Sequence, residues 1–271
     1  LLASSAASDV YKRQAVYHGP IGLREISNSI HLKAVYLYQK ISKLGIEIKY
    51  SKFFDTITII CDSKKLNKIA LSRNVNFCNL ITNQISISVN EKTDHNDLDQ
   101  IISILEEYSG QKSPNIKFPE TQMLDNVRES EILSHPVFNS YHSETSLMRY
   151  IKSLENKDLS LTQSMISLGS CTMKLNAASE MIPLSWSEWN SIHPFVPVDQ
   201  ARGYHEVISK LETFLSEITG FSATSLQPNS GAQGEYSGLM VIKSYLNKIG
   251  QSHRDISVSY THLRAHETTR H

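Results

Sequence analysis

The stretch "FFDTITIICDSKKLNKIALSRNVNFCNLITNQISISV", residues 53–89, decides the fold class of the first half of this chain. It contains two short segments rich in β-branched residues, Thr56–Ile60 and Ile85–Val89, and such runs favour β-strands. A helical pattern around Leu66 to Leu71 separates them. Because side chains alternate along a strand, we expect one face of each strand to be buried. The residues on these faces are Ile57, Ile59, Ile85 and Ile87.

Helical patterns also precede and follow this stretch. Apolar residues recur every three or four positions from Gly22 to Leu44, and Gly45 stands where a left-handed helix end is favoured. A second pattern predicts a helix from about Asp94 to Tyr108, capped by Thr93 or Asp94. The order helix, strand, helix, strand, helix predicts a small α/β domain, with an antiparallel or mixed sheet and its helices on one face.

Composition excludes several classes of partner. The 271 residues include 27 Lys and Arg and 27 Asp and Glu, which are interspersed and form no basic stripe. We therefore expect no nucleic acid and no membrane as a partner. No apolar run approaches the roughly 18 residues that span a bilayer. Cys61, Cys78 and Cys171 are too scattered for a disulfide framework or a zinc site, so we expect no metal.

We expect the two ends of the chain to have a different origin from the rest. Residues 9–14 match the translation of GAT GTG TAT AAG AGA CAG, part of the end sequence of a transposon used to prepare sequencing libraries. The reverse complement of that sequence, read in another frame, encodes residues 258–262. We therefore expect residues 1–14 and 257–271 to be adapter-derived and non-native, and to lack packed structure.

The second half of the chain reads as a linker followed by helices. Gly, two prolines and polar residues between Ser109 and Thr121 indicate a linker and a domain boundary. Beyond it we predict a helix from near Ser143, a helix over Tyr204 to Thr219 that ends at Gly220, and a last helix from near Gln233.

The stretch "SLQPNSGAQGEYSGL", residues 225–239, is a candidate phosphate site. A strand-like segment leads into a turn of small residues, which opens the last helix. Small residues let backbone N–H groups approach a ligand closely, and a helix start favours negative charge. A tight turn with an ordinary helix cap explains the same residues, and both readings stay open.

Two further segments carry reactive side chains. The loop "SLGSCTMKLN", residues 167–176, has no helical or strand period. Its Cys171 is either a nucleophile or a small packing residue, and Lys174 either contacts an anionic ligand or anchors the loop to a carboxylate. In "IHPFVP", residues 192–197, two prolines hold His193 rigidly, although a lone histidine there is more often structural.

Taken together, seven segments resemble one family. They are "AVYHGPIGL" (15–23), "FFDTITI" (53–59), "HPVFNSYHSET" (135–145), "LGSCTMKLN" (168–176), "EMIPLSW" (180–186), "IHPFVPVDQARGYHEVI" (192–208) and "ITGFSATSLQPNSGAQGEYSGL" (218–239). In order and spacing they resemble the P-protein family of the glycine cleavage system, the aminomethyl-transferring glycine decarboxylases. The resemblance extends over residues 15 to about 256.

The resemblance implies an aspartate-aminotransferase-like fold of type I, present only in part. Residues 15–110 would be the small α/β domain that ends the first half of such an enzyme, 111–160 a connecting arm, and 161–256 the start of the second half. Pyridoxal 5′-phosphate would bind in that second half, where the family holds the phosphate at the turn. The cofactor residues would be Ser230, Gly231, Ala232, Gln233 and Gly234. Candidates for the active-site loop are Ser170, Cys171, Thr172, Lys174, Asn176 and His193.

The resemblance also implies the reaction and the partners of the parent enzyme. Glycine would lose carbon dioxide, and its aminomethyl group would pass to the lipoyl arm of H-protein. We expect the parent to be a homodimer, and a single-chain parent is favoured over one made of split subunits. Its location would be the cytoplasm if the source is bacterial or the mitochondrial matrix if it is eukaryotic, and the cytoplasm is favoured.

The Schiff-base lysine of the family lies beyond Ile256, so this chain should contain no catalytic residue and should be inactive alone. The alternative is a non-catalytic regulatory or binding relative with the same fold, which never had that lysine.

Overall fold

The computed structural model describes residues 5–79, 81–120, 124, 127–157, 165, 178–229 and 231–256. Close contacts divide these residues into two compact units. The first unit contains the described residues up to 157, and the second contains those from 165 onward.

A three-stranded antiparallel sheet forms the centre of the first unit. Its strands are β1 (Glu47–Ile48), β2 (Thr56–Ile60) and β3 (Gln84–Ser88), in the order β1-β2-β3. Ile57 pairs with Ile87 and Ile59 pairs with Ile85. All four side chains are at most 2% exposed, so the predicted strands and their buried face are confirmed.

The opposite face of the sheet is polar. Thr56 and Ser88 form a hydroxyl pair at 2.8 Å, and Thr58 and Ser86 form another at 3.0 Å. Cross-strand pairs of this kind stabilise neighbouring strands and match the register that buries the isoleucines. The alternation of isoleucine with hydroxyl residues thus specifies which face meets the core.

Three helices cover the apolar face: α1 (Ser5–Lys43), α2 (Ser63–Ser72) and α3 (His95–Ser109). Together with the sheet they bury a single apolar core. The helical residues of this core are Ala34, Leu37, Ile41, Leu66, Ala70, Leu98, Ile102, Ile104 and Leu105. The predicted α/β class of this part is confirmed.

Polar caps fix the starts of α2 and α3. The Asp62 carboxylate accepts the N–H groups of Lys64 and Lys65. Asp94 and Asp97 form a reciprocal capping box, which confirms Asp94 as the predicted cap of α3. The hydrogen bond from the Asp97 N–H is the main reason that the pKa of Asp94 lies below its usual value.

Helix α1 begins much earlier than the predicted start at Gly22. It runs from Ser5 and is interrupted at Gly19, whose backbone is left-handed in φ (63°), next to Pro20. Proline fits the first turn of a helix, so the part after the kink starts at a residue suited to that position. Gly45 has φ of 68°, as predicted for the helix end. Residues 11–14, in the stretch assigned to the adapter, are helical and exposed.

The predicted linker after Ser109 has no regular structure, but it belongs to the first unit and contacts α1 and α3. The Glu106 carboxylate accepts the N–H and the hydroxyl of Ser113, and these bonds together with Lys112 hold its pKa below the usual value. The buried Lys40 donates to the carbonyl of Pro114 at 2.8 Å. Phe118 contacts the rings of Tyr36 and His95.

The rest of the first unit is a short 3₁₀ helix, Pro136–Asn139, followed by α4 (Glu144–Glu155). Ser143 caps α4 together with Ser146, so the predicted helix start near Ser143 is confirmed.

The second unit consists of helices. They are α5 (Ala178–Met181), α6 (Ser187–Asn190), α7 (Arg202–Thr219) and α8 (Gly231–Lys248), with 3₁₀ turns at Ile182–Ser185 and Val198–Gln200. Gly220 ends α7 with φ of 74°, as predicted. No described side chain of this unit is buried, and large apolar residues such as Phe195, Ile218 and Val241 are 91%, 80% and 68% exposed.

Candidate functional site

The candidate phosphate site lies at the start of α8. The helix begins at Gly231, so Gly231 to Gly234 form its first turn. The sequence predicted a turn over Ser230 to Gly234 with the helix starting near Gln233, and the helix start was therefore placed two residues late. The first four N–H groups of an α-helix have no partner within the helix, so this turn offers donors to an anion. Ser230 lies outside the described residues.

The segment that leads into this turn runs back beside α7. Glu212 accepts the N–H of Leu226 at 3.1 Å, and the hydroxyls of Ser216 and Thr224 lie 3.0 Å apart. Residues 225–229, expected to be strand-like, are not part of a strand. Polar side chains of α7 therefore hold the segment. These contacts could not be predicted from the sequence, because the spacing of the polar residues follows no recognisable pattern.

A hydrogen bond closes the turn itself. The backbone N–H of Asn229 donates to the side-chain oxygen of Gln233 at 2.8 Å. Gln233 is half-buried, and the glycines beside it are Gly231 and Gly234. A Cβ atom added to either glycine would meet no described atom within 4 Å outside the adjoining helix. Neither glycine has a positive φ, so neither packing nor backbone conformation in the described residues requires a glycine there.

The other predicted site residues are described only in part. Ser170, Cys171, Thr172, Lys174 and Asn176 lie outside the described residues. His193 is exposed, and its Nδ1 atom accepts the N–H of Phe195 at 3.0 Å. This bond leaves the proton of a neutral imidazole on Nε2. The ring thus caps a local turn, and its place relative to α8 stays a prediction.

A contact between two of the family-like motifs was not anticipated from the sequence. Gly19, in "AVYHGPIGL", packs against Phe138 and His142, in "HPVFNSYHSET". The Nδ1 atom of His142 lies 2.8 Å from the carbonyl oxygen of Tyr17. We call this contact of Tyr17, Gly19, Phe138 and His142 the clasp. It joins two segments that lie 125 residues apart in the sequence.

Within the described ranges, neither a metal site nor a nucleophilic role for Cys61 gains support. Within them, no three or more His, Cys, Asp or Glu side chains gather as a possible metal site. Cys61 is buried, and this burial is the main reason that the pKa of its thiol is raised. A thiol held in its protonated form is a poor nucleophile. Among the described helices, none has the length and apolar composition to cross a bilayer.

Comparison with known proteins tests the family resemblance of the sequence motifs. Residues 1–105 match the family model of the glycine cleavage system P-protein. The resemblance to the P-protein family is confirmed. The match includes the first 14 residues, whose adapter origin stays a prediction.

Relatives with high identity cover most of this chain. Glycine dehydrogenase (decarboxylating) of Christiangramia forsetii is 54% identical over 245 residues, which is 89% of this chain. The protein of the same name from Flavobacterium johnsoniae is 52% identical over 245 residues. A mitochondrial glycine dehydrogenase (decarboxylating) of Dictyostelium discoideum is 46% identical over 253 residues. The chain spans about a quarter, 26%, of the length of each of these relatives.

Proposed function

We propose that this chain is part of a pyridoxal 5′-phosphate enzyme that decarboxylates glycine. The observation that carries the proposal is its identity of 54% over 245 residues to a glycine dehydrogenase (decarboxylating). Since the chain spans 26% of that relative, we assign the activity to a longer parent protein and expect the 271 residues to be inactive alone.

The first turn of α8 fits the phosphate of this cofactor. Backbone N–H groups at Gly231 to Gly234 would donate to the phosphate oxygens, and the room beside Gly231 and Gly234 would let the anion approach the backbone. The positive end of the helix dipole favours the phosphate charge. We add the Ser230 hydroxyl as a further donor.

The cofactor would supply the chemistry, and the chain would bind and orient it. When bound, pyridoxal phosphate supplies an electron-accepting ring that takes up the charge left on glycine as carbon dioxide departs. The chain's own part is to hold and orient the phosphate at α8. We place Ser170, Cys171, Thr172, Lys174, Asn176 and His193 in the wall of the same site, where they would exclude water.

The architecture proposed for the parent is the aspartate-aminotransferase-like fold. The α/β first unit suits the small domain that ends its first half, and the second unit suits the opening of its second half. The lack of buried side chains in the described second unit supports this, because helices with exposed apolar faces need further protein to cover them. The aminomethyl acceptor would be lipoylated H-protein, and the parent would be a homodimer. A cytoplasmic location is proposed for a bacterial source and the mitochondrial matrix for a eukaryotic one.

The test uses the full-length parent, obtained by extending the reading frame at the source. We expect it to contain a lysine that binds pyridoxal phosphate covalently, and to release carbon dioxide from glycine when lipoylated H-protein is supplied. A parent that lacks the lysine and does not take up the cofactor would instead be the non-catalytic relative. Substitution of Gly234→Val, which fills the room beside the helix start, should weaken cofactor binding in the active parent.

A further inference from the structure

We propose that residues 111–118 form a strap that closes over one edge of α1 and α3 and opens as a whole while the sheet and its core stay folded. The strap follows the end of α3, where Gly110 adopts a left-handed conformation with φ of 72°. Three anchors hold it, at Ser113, Pro114 and Phe118, and all of them lie within the first unit.

The first two anchors are an anion and a cation that bind neighbouring peptide groups. Glu106 of α3 accepts the N–H of Ser113 at 2.9 Å. Lys40 of α1 donates to the carbonyl of Pro114 at 2.8 Å. A carboxylate accepts and an ammonium donates, so the two side chains match both polar groups of the strap backbone, and bonds with one charged partner are stronger than neutral ones. Pro114 has no N–H that the closed strap would leave without a partner.

Burial makes the closed strap important for Lys40. This residue is only 7% exposed, and its Nζ atom lies 5.4 Å from the centroid of the Tyr36 ring. A charged group that leaves water needs a hydrogen-bond partner, and the Pro114 carbonyl supplies an acceptor. The Glu106 side chain is 13% exposed and is bound from the strap side by Lys112 as well. Opening of the strap would return both charged side chains to water.

The third anchor is aromatic and again involves both helices. The ring of Phe118 lies 5.3 Å from that of Tyr36 on α1 and 5.6 Å from that of His95 at the start of α3, measured between centroids. Phe118 is partly buried against the core. Tyr36 and Lys40 are four residues apart on α1, so the aromatic and the cationic anchor share one face of that helix.

The small number of anchors explains why the strap would open alone and as a whole. Residues 111–118 have no regular secondary structure. The exposed residues among them are Gln111, Lys112, Pro114, Asn115 and Lys117. Release of one anchor frees backbone that the other two would then have to order again, which weakens them. Segments with few buried apolar contacts open at a lower free energy than the core.

The test uses the 271-residue chain and follows two sites that the strap protects. Hydrogen exchange of the Ser113 N–H reports the anchor at Glu106. Acetylation of Lys40 by the N-hydroxysuccinimide ester of acetate, measured by peptide mass spectrometry, reports the anchor at Pro114. Lys68, which is exposed on α2, is the internal standard. Hydrogen exchange in β2 reports unfolding of the core.

The unmodified chain already distinguishes local from global opening. The Ser113 N–H should exchange faster than the paired N–H groups of β2 and should depend less on urea, because opening of the strap exposes less surface than unfolding does. Lys40 should be acetylated more slowly than Lys68.

Phe118→Ala tests whether the anchors act together. It removes the aromatic anchor, five residues from Ser113, and should raise Ser113 exchange and Lys40 acetylation by the same factor, on the order of tenfold for two lost ring contacts. Lys117→Met is the matched control, because the Lys117 side chain is 86% exposed, and it should change neither rate. Lys40→Met should speed Ser113 exchange about 2- to 10-fold through one lost hydrogen bond.

Several results would overturn the strap. If Phe118→Ala speeds acetylation of Lys40 but leaves Ser113 exchange unchanged, the anchors release separately. If Ser113 and β2 exchange at one rate with one urea dependence, the segment opens only when the core unfolds. If Lys40 reacts as fast as Lys68 in the unmodified chain, the segment is not closed over it. Should Phe118→Ala unfold the chain, seen as fast exchange in β2, the unmodified chain and Lys40→Met decide by the same criteria.

Discussion

The Nδ1 atom of His142 lies 2.8 Å from the carbonyl oxygen of Tyr17, although 125 residues separate them in sequence. A carbonyl only accepts, so this ring nitrogen must carry the proton. The carbonyl stands beside the break in α1 at Gly19, where regular helical pairing is interrupted. His142 thus stabilises the kinked backbone and ties the segment after the 3₁₀ helix to α1.

The clasp should make Gly19 the glycine most sensitive to substitution in the first unit. A Cβ atom there would lie 2.6 Å from both the Phe138 carbonyl oxygen and Cε1 of His142, and φ is 63°. Left-handed strain costs about 1–2 kcal/mol and overpacking about 1–3 kcal/mol. We expect Gly19→Ala to lower the free energy of unfolding of the first unit by about 2–5 kcal/mol, measured by hydrogen exchange in β2 at increasing urea concentration.

Gly45→Ala is the matched control. Gly45 has φ of 68°, but an added Cβ meets nothing within 4 Å, so only the strain of about 1–2 kcal/mol applies. Equal losses for the two variants would show that the contact with Phe138 and His142 contributes nothing.

The two faces of the central strand should respond differently to truncation. Ile59 is fully buried, and Ile59→Ala should cost about 2–5 kcal/mol through lost burial and a cavity. Thr58 points to the polar face, where its hydroxyl meets Ser86, so Thr58→Ala should cost about 0.5–1.5 kcal/mol. The two variants are compared by thermal unfolding, which is monitored by circular dichroism. A larger loss for Thr58→Ala would contradict the assignment of the faces.

Local periodicity predicted most of the first unit, for a physical reason. Alternation of isoleucine with hydroxyl residues reports one-sided burial of a strand, and a three-to-four spacing reports a helix face. The strand β1 has only two residues, too few for a period, and it exists because Ile48 pairs with Ile59. The clasp also escaped prediction, since it depends on contact between distant segments.

The sequence predicted the small residues and the helix of the candidate site, but not the first residue of that helix or the hydrogen bond within the turn. Small residues before an apolar period predicted a helix start near Gln233, and the helix begins two residues earlier, at Gly231. The first turn carries no apolar period of its own, so the pattern set the start too late. The bond between Asn229 and Gln233 could not be predicted, because it depends on the side-chain direction within that turn.

Glu106 should make the first unit less stable in acid. Its pKa is lowered in the folded chain, first by the Ser113 N–H and then by Lys112. A lowered pKa gives stability that is full above the unfolded pKa of about 4.3 and is lost as pH falls through the lower folded value. We expect Glu106→Gln to flatten the decline in stability below about pH 4.3.

Urea unfolding at several pH values measures this effect. Ser113→Ala serves as the graded control, because it removes the hydroxyl bond at 3.0 Å and keeps the N–H bond at 2.9 Å. It should retain part of the pH dependence. If the stability of Glu106→Gln declines in acid as steeply as that of the unmodified chain, the bonds to Ser113 do not contribute to acid sensitivity.

The 271-residue chain should bind pyridoxal phosphate weakly or not at all. At the start of α8 it offers only a few hydrogen bonds, each worth about 0.5–1.5 kcal/mol net. On the proposed function, the lysine that binds the cofactor covalently and the groups around its ring belong to the rest of the parent. Absorbance titration of the purified chain should therefore show no saturable shift at micromolar cofactor, while the full-length parent shows one. Borohydride reduction followed by mass spectrometry is the sharper measurement, because it traps any covalent link to a lysine. One equivalent of cofactor fixed to Lys174, or to any other lysine of this chain, would mean that the active site lies elsewhere than at α8.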